Sequence, residues 1–301
     1  MKLLKFAAID IGSNAVRLLF MNVMEDEGKA IFKKSSLTRV PVRLGDDAFI
    51  GGSLSEKKIQ KLSKTLLAFK YLMEVHEVQA FRACATSAMR EAANSSEVVD
   101  RIERESGIRI EVIDGKREAE IIYSNQIVEL IEDNNHYLYV DVGGGSTEIT
   151  LFSSKRLKES HSFNIGTIRM LNQKVTDEHF KEMKHWLKSL KTHKKDVSII
   201  GSGGNINKIF KLSGKKNGQV LVLDELSEIR KFLSYYTVDE RIKVLGLNPD
   251  RADVIIPASE IFLKVMKWSG AKQIIVPTIG VSDGIVHQLY EEYAKENLRQ
   301  N

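Results

Sequence analysis

Apolar runs with strand character recur at Phe6–Ile11, Val16–Val23, Val78–Ala83, Ile108–Ile113, Tyr137–Val142, Ile149–Phe152, Val197–Ile200 and Gln273–Val276. Each is short and bounded by polar or turn-forming residues, as strands are. Helical patterns lie between them. From Ser53 to about His76, residues Ile59, Leu62, Leu66, Phe69 and Leu72 keep helical spacing, and Ser53 with Glu56 has the spacing of a capping box. Asn94 with Glu97 and Thr237 with Glu240 repeat that start signal. Strands alternating with helices predict an α/β chain with much parallel or mixed sheet. With four prolines and no low-complexity stretch in 301 residues, structured elements rather than a flexible linker should join any two domains.

One internal similarity bears on domain organisation. Asp10–Phe20 can be laid over Asp141–Leu151: strand, Asp, one residue, Gly, a turn of small residues, then a second strand. The spacing is far longer than a solenoid repeat. It fits either two related domains that each open with a hairpin, or two hairpins alike by coincidence.

Composition narrows the class. A single cysteine, Cys84, excludes a disulfide framework and cysteine-based zinc or iron–sulfur sites. With no apolar leader core at the N-terminus, it predicts a cytoplasmic protein. No uncharged apolar run reaches about 18 residues, so no membrane partner is expected. The net charge of +5 points to an anionic ligand. Between Asn172 and Val220 stand eleven lysines (174, 181, 184, 188, 191, 194, 195, 208, 211, 215 and 216) against four acids (Asp177, Glu178, Glu182 and Asp196), so this stretch carries about +7. A solvated helix face is the ordinary explanation for Lys181–Lys195; a polyanion tracking across it is the functional one. No aromatic interleaving or nucleic-acid motif accompanies these lysines, so nucleic acid is not the expected anion.

The glycine turns carry the candidate chemistry. In Gly143-Gly144-Gly145-Ser146-Thr147, backbone N–H groups can converge on an anion unobstructed by side chains. The flanking acids Asp141 and Glu148 would repel a phosphate unless they hold a divalent cation that bridges to it; otherwise one caps a turn and the other is solvated. A third turn, Gly201-Ser202-Gly203-Gly204, links a strand to a helix and aims a helix N-terminus at phosphate, although it fails the dinucleotide fingerprint. No P-loop occurs. Thr86 and Arg90 sit near another helix start, where Arg90 could clamp a phosphate oxygen or pair with a neighbouring acid. Glu118 and Glu120, two positions apart on a helix, must project from different faces. The seven histidines form no recognised catalytic or metal-binding pattern.

Taken in order, the segments Ala8–Asn14, Val42–Gly45, Ala85–Ala92, Val112–Ala119, Val140–Glu148, Ile165-Gly166, Gly201–Gly204 and Arg251–Asp253 cover nearly the whole chain. They resemble the exopolyphosphatase/guanosine pentaphosphate phosphatase (Ppx/GppA) family, within the acetate and sugar kinase–Hsp70–actin superfamily. The resemblance implies two duplicated ribonuclease H-like (actin-like ATPase) domains with the active site in the interdomain cleft. It also implies a discontinuous first domain, 1–122 plus 284–301, and a second over 123–283. By the same resemblance Glu118 is the base and Arg90 the family's arginine. Ser13-Asn14 and Gly143–Thr147 are phosphate-binding turns, and Asp141 and Glu148 associate with Mg²⁺ (or Mn²⁺). Family members often dimerise, which makes a homodimer the oligomer to test for. Two departures stand out: Arg117-Glu118 where the family commonly has paired acids, and Asp114 where it usually has Ser.

The resulting expectation is metal-dependent hydrolysis of the terminal phosphoanhydride of inorganic polyphosphate. Removal of the 5′ γ-phosphate from guanosine pentaphosphate is the alternative within the same chemistry. A small-molecule kinase of the superfamily and a non-catalytic phosphate-ligand sensor are the alternatives from other classes.

Overall fold

The computed structural model describes residues 2–26, 29–124, 131–132, 135–190, 196–277 and 279–300. The chain divides into two units, Met1–Asn125 with Gly280–Asn301, and Gln126–Ile279. Among the described residues no helix is long and apolar enough to cross a membrane.

The first unit is built from β1 (Lys2–Ile11), β2 (Val16–Asp26), β3 (Lys29–Val40), α1 (Gly45–Gly51), α2 (Glu56–Val75), β4 (Ala80–Ala85), α3 (Ser87–Glu91), α4 (Ser95–Ser106), β5 (Ile110–Val112) and α5 (Gly115–Tyr123). Its sheet runs β3-β2-β1-β4-β5, with β1, β4 and β5 parallel and β2 and β3 antiparallel to their neighbours. The second unit repeats the plan with β6 (His136–Val142), β7 (Thr147–Ser153), β8 (Arg156–Phe163), α6 (Thr167–Leu171), α7 (Asp177–Ser189), β9 (Val197–Ser202), α8 (Gly204–Leu212), β10 (Val220–Val222), α9 (Leu223–Ser234), α10 (Val238–Lys243), α11 (Pro249–Ala252), α12 (Ile255–Ser269) and β11 (Gln273–Ile275). There the order is β8-β7-β6-β9-β11, extended by β10 on the far edge. The likeness between Asp10–Phe20 and Asp141–Leu151 thus belongs to a duplicated sheet rather than to two chance hairpins. The final helix, α13 (Val281–Gln300), packs in the first unit.

All eight expected strands form, and β3, β8 and β10 are additional. β3 and β8 are edge strands whose residues are almost all exposed or half-exposed, so no apolar alternation marks them. Helix α2 buries Ile59, Leu62, Leu66 and Phe69 as expected, but Met73, not Leu72, completes the stripe, and Leu72 is solvent-facing. Of the three start signals, only Thr237–Glu240 makes reciprocal capping bonds. Helix α2 begins at Glu56 after Ser55, and the Ser55 N–H is taken by Asp47 Oδ2 at 2.9 Å. Asn94 does precede α4, but its side-chain amide instead exchanges two 2.9 Å bonds with the backbone of Leu54.

Helix α13 closes the first unit through aromatic contacts. The rings of Tyr290 and Tyr293 meet Phe6 edge-on at 6.2 and 5.7 Å, and His287 stacks on Phe32 at 3.8 Å. Aromatic pairs of this kind contribute about 0.5–1.5 kcal/mol beyond their burial. Gly284 lets the helix lie directly against α5, because a Cβ there would sit 2.8 Å from the carbonyl carbon of Ile121.

Candidate functional site

Parallel strands in open α/β sheets present ligands at their carboxyl ends, and the registers place the candidate residues there in both units. In the first unit Ile11 pairs with Ala85 and Ala85 with Val112, so the turn 12–15, the start of α3 and the start of α5 share one sheet edge. Buried Ser13 and Thr86 are joined to it: Ser13 Oγ lies 2.8 Å from Ser87 Oγ, and the Thr86 N–H donates to Ile11 O at 3.2 Å. Arg90 is held by a backbone carbonyl. Its guanidinium donates to Ile113 O at 2.9 Å, next to the residue that opens α5. Asp114 caps α5 by accepting from Arg117 N at 2.7 Å, so Asp in place of the family's usual Ser keeps a good N-cap. Glu118 is buried at 5% exposure in the first turns of α5, whereas Glu120 faces outward toward Arg117 at 3.4 Å. Two positions on a helix do separate them.

The turn holding Ser13 and Asn14 is oriented from behind. Gly45 N donates to Ser13 O at 2.8 Å and Arg43 N to Asn14 O at 2.9 Å. The second unit uses the same device on its triglycine turn: Thr167 N bonds Gly143 O at 3.0 Å and Ile168 N bonds Gly144 O at 2.8 Å. The Arg169 guanidinium takes Gly145 O at 2.6 Å. In a planar trans peptide the N–H points opposite to the C=O of the same plane. Holding these carbonyls on one side therefore directs the N–H groups of Gly144, Gly145 and Ser146 to the other, the arrangement an anion nest requires. Gly166 makes the approach feasible, since a Cβ there would lie 2.5 Å from the carbonyl carbon of Gly144 and closer still to its oxygen. These contacts give a physical reason for the Val42–Gly45 and Ile165-Gly166 motifs. Not every candidate hydroxyl faces a ligand: Thr147 Oγ1 is fully buried and donates to Ile165 O at 2.5 Å.

The two acids of the second unit are directly opposed. Asp141 and Glu148 are cross-strand partners in the β6–β7 hairpin, with Ser202 beside Asp141 on β9 and Ser162 beside Glu148 on β8. One row of oxygen-bearing side chains therefore crosses the sheet. Ser202 Oγ donates to Asp141 Oδ2 at 3.1 Å and Ser162 Oγ to Glu148 Oε1 at 3.0 Å. Gly203, at φ +101°, brings the third turn against this row, where a Cβ would stand 3.1 Å from Asp141 Oδ1. Gly204 O accepts from Arg251 at 3.0 Å, which accounts for the Arg251–Asp253 motif at its first residue.

The duplication supplies an internal comparison. The residue opposite Asp10 in β2 is Arg17, and they form an ion pair at 2.6 Å. In the second unit the equivalent pair is acid against acid, a destabilising arrangement without a cation. Two carboxylates with hard oxygen donors suit Mg²⁺ or Mn²⁺, which draw their remaining ligands from phosphate and water. Among the described residues no group of three or more His, Cys, Asp or Glu could hold a metal ion. Cys84, beside Asp10 in the sheet, is pushed up to about 12, chiefly by burial, so it remains a thiol and is no nucleophile. Of the basic stretch, Lys181 is exposed and paired with Glu178 at 2.9 Å, and Lys215 is paired with Glu225 at 2.9 Å. Lys184 and Lys188 face solvent, as the ordinary reading has it, while Lys191, Lys194 and Lys195 lie outside the described residues.

Sequence reading did not single out Ser162 or Arg169. Both act through contacts that no local pattern announces.

Comparison with known proteins bears on the family and the fold. The model of the Ppx/GppA phosphatase family matches residues 23–293. A bifunctional 3-dehydroquinate synthase/phosphatase of Fusobacterium nucleatum is 30% identical over 293 residues, 90% of this chain. The chain spans only 44% of that relative's length. Exopolyphosphatase 2 of Mycobacterium tuberculosis is 26% identical, with 96% of this chain and 99% of the relative covered. The crystal structure of the Aquifex aeolicus member of the Ppx/GppA family matches with a TM-score of 0.75 at 28% identity, covering 98% and 99% of the two chains. A family match over most of the chain, on a fold that repeats the family's two related units, establishes that this chain belongs to the Ppx/GppA phosphatase family.

Proposed function

We propose that this protein hydrolyses the terminal phosphoanhydride of inorganic polyphosphate and releases orthophosphate, with Mg²⁺ or Mn²⁺ held by Asp141 and Glu148. The observation that carries the reading is the acid–acid pair opposed across the β6–β7 hairpin, beside a turn whose N–H groups are aimed by contacts at their carbonyls. The likeness to a mycobacterial exopolyphosphatase over nearly its full length supports the choice of substrate.

Phosphoryl transfer leaves the protein mainly positioning and charge stabilisation to perform. The N–H groups of Gly144, Gly145 and Ser146 bind the terminal phosphate oxygens. Those of the Ser13–Asn14 turn and the start of α8 at Gly203-Gly204 bind further phosphates. The cation supplies charge neutralisation on the phosphate oxygens. Arg90, anchored at Ile113 O, adds a guanidinium to the transferring group. Glu118 accepts a proton from the attacking water as its oxygen bonds to phosphorus; the bridging P–O bond breaks, and the electron pair leaves with the shortened chain. A base in this role contributes about 10²–10⁴-fold. In this reading the protein is cytoplasmic and a homodimer.

Orthophosphate release with Mg²⁺ from long-chain polyphosphate and guanosine pentaphosphate, beside formation of phosphorylated acceptor from ATP with a sugar or carboxylate, tests the reading. Release from polyphosphate at the highest kcat/KM is expected. Preference for the guanosine compound would move the substrate within the same chemistry. Acceptor-dependent transfer from ATP, or no turnover on any of them, would overturn hydrolysis.

A further inference from the structure

We propose that Arg169 is a positioning residue that sets the phosphate-binding face of the triglycine turn; the ligand part of this inference rests on the function proposed above. The three turn carbonyls are held in different ways. Those of Gly143 and Gly144 are held by backbone N–H groups at the start of α6, which the fold supplies whatever the side chains are. The Gly145 carbonyl is held by a side chain, the Arg169 guanidinium at 2.6 Å. Gly145 O and the N–H of Ser146 share one peptide plane, so fixing the carbonyl fixes the direction of that N–H. Gly144 and Gly145, which precede the Gly145–Ser146 peptide, carry no side chain to restrict how it turns. Arg169 is therefore what selects one orientation. In turn, α6 holds the arginine in place: Lys174 N bonds Arg169 O at 2.8 Å, and Arg169 N reaches Gly144 O at 3.3 Å.

The first unit shows what is special to the second. Its turn carbonyls at Ser13 and Asn14 are both held by backbone N–H groups, and there the turn residues carry side chains that restrict them. Of these two hairpin turns, the one built on three glycines has a carbonyl held by a guanidinium. A charge-assisted bond of this kind is strong and directional. The direction it imposes is the one in which the Ser146 N–H adds to those of Gly144 and Gly145.

The test compares wild type, Arg169→Ala and Arg169→Lys in two measurements. Hydrogen exchange over 143–148, without ligand, is expected to accelerate in Arg169→Ala while the β6–β7 strands keep their protection. Arg169→Lys should fall between, because one ammonium on a flexible stem replaces a planar fork. Binding of the non-hydrolysable probe imidodiphosphate with Mg²⁺ should weaken about ten- to hundredfold in Arg169→Ala. Methylguanidinium in solution, but not ammonium, should restore part of it. Wild-type exchange over 143–148 in either variant overturns the proposal. So does weakened binding that methylguanidinium leaves unchanged, which marks a merely structural role. Accelerated exchange with no probe binding even by wild type leaves the hold on the turn standing and instead removes the proposed phosphate ligand.

Discussion

Gly166→Ala isolates the packing that orients the triglycine turn. Gly166 has φ −138° and ψ 162°, an extended backbone that alanine adopts freely. On backbone grounds alone the substitution should stabilise by about 0.4–1 kcal/mol. Sterics reverse the sign. The new Cβ would lie 2.5 Å from the carbonyl carbon of Gly144, with the oxygen closer, and backbone atoms cannot rotate aside as a side chain can. Relief requires the turn and the start of α6 to part. That costs about 1–3 kcal/mol of overpacking. It also weakens the Gly143 and Gly144 carbonyl bonds at 3.0 and 2.8 Å, at about 1 kcal/mol each. A net loss of about 2–4 kcal/mol is expected in urea denaturation, with a raised KM for polyphosphate. Gly51→Ala is the control: a Cβ there meets nothing within 4 Å, so stability should hold or rise slightly. A Gly166→Ala protein within about 0.5 kcal/mol of wild type, with unchanged kinetics, would refute the close approach and the orientation of the turn derived from it.

Two further outcomes follow from charge. In chelator, Glu148→Gln removes one of two directly opposed carboxylates and should raise the unfolding free energy in urea denaturation slightly, by about 0.2–1 kcal/mol. Adding Mg²⁺ should then stabilise wild type more than the variant, and equal gains would speak against a cation at this pair. His287 is pulled down to about 4 by burial. The folded state therefore keeps it neutral while the unfolded chain takes a proton below its usual pKa of 6.5. Its contribution to stability is complete above pH 6.5 and is lost as pH falls through about 4. His287→Phe, which can still stack on Phe32, should flatten that acid limb in a pH series of denaturation curves, and an unchanged slope would remove His287 as its source.

Much of the architecture was legible because burial writes itself into the sequence. The strands beside the parallel core carry continuous apolar runs, and the similarity of Asp10–Phe20 to Asp141–Leu151 exposed the duplication. What escaped notice lacks that signature. β3 and β8 are edge strands with solvated faces, so no apolar alternation marks them in the sequence. Ser53 matched a capping spacing, but Asp47 had already fixed the chain at Ser55, a competition no local pattern records. At the site, the acids and glycines were visible as residue types in a turn. Register was not: that Asp10 faces Arg17 whereas Asp141 faces Glu148 emerges only once the strands are paired. Arg169 lies 24 positions from the carbonyl it holds, with nothing nearby to mark it. The lysine excess gave least. Lys181 pairs with Glu178, already in the count, and Lys215 with Glu225, outside the counted stretch, so the count of about +7 overstated the free positive charge offered to a polyanion.

The central claim is hydrolysis with Glu118 as the base, and the measurement that bears on it most directly is a comparison of wild type with Glu118→Gln on long-chain polyphosphate in Mg²⁺. Binding and single-turnover orthophosphate release are followed on the same samples. Polyphosphate binding close to wild type, with release slowed about 10²–10⁴-fold, is the predicted result. Release at the wild-type rate in Glu118→Gln would contradict it.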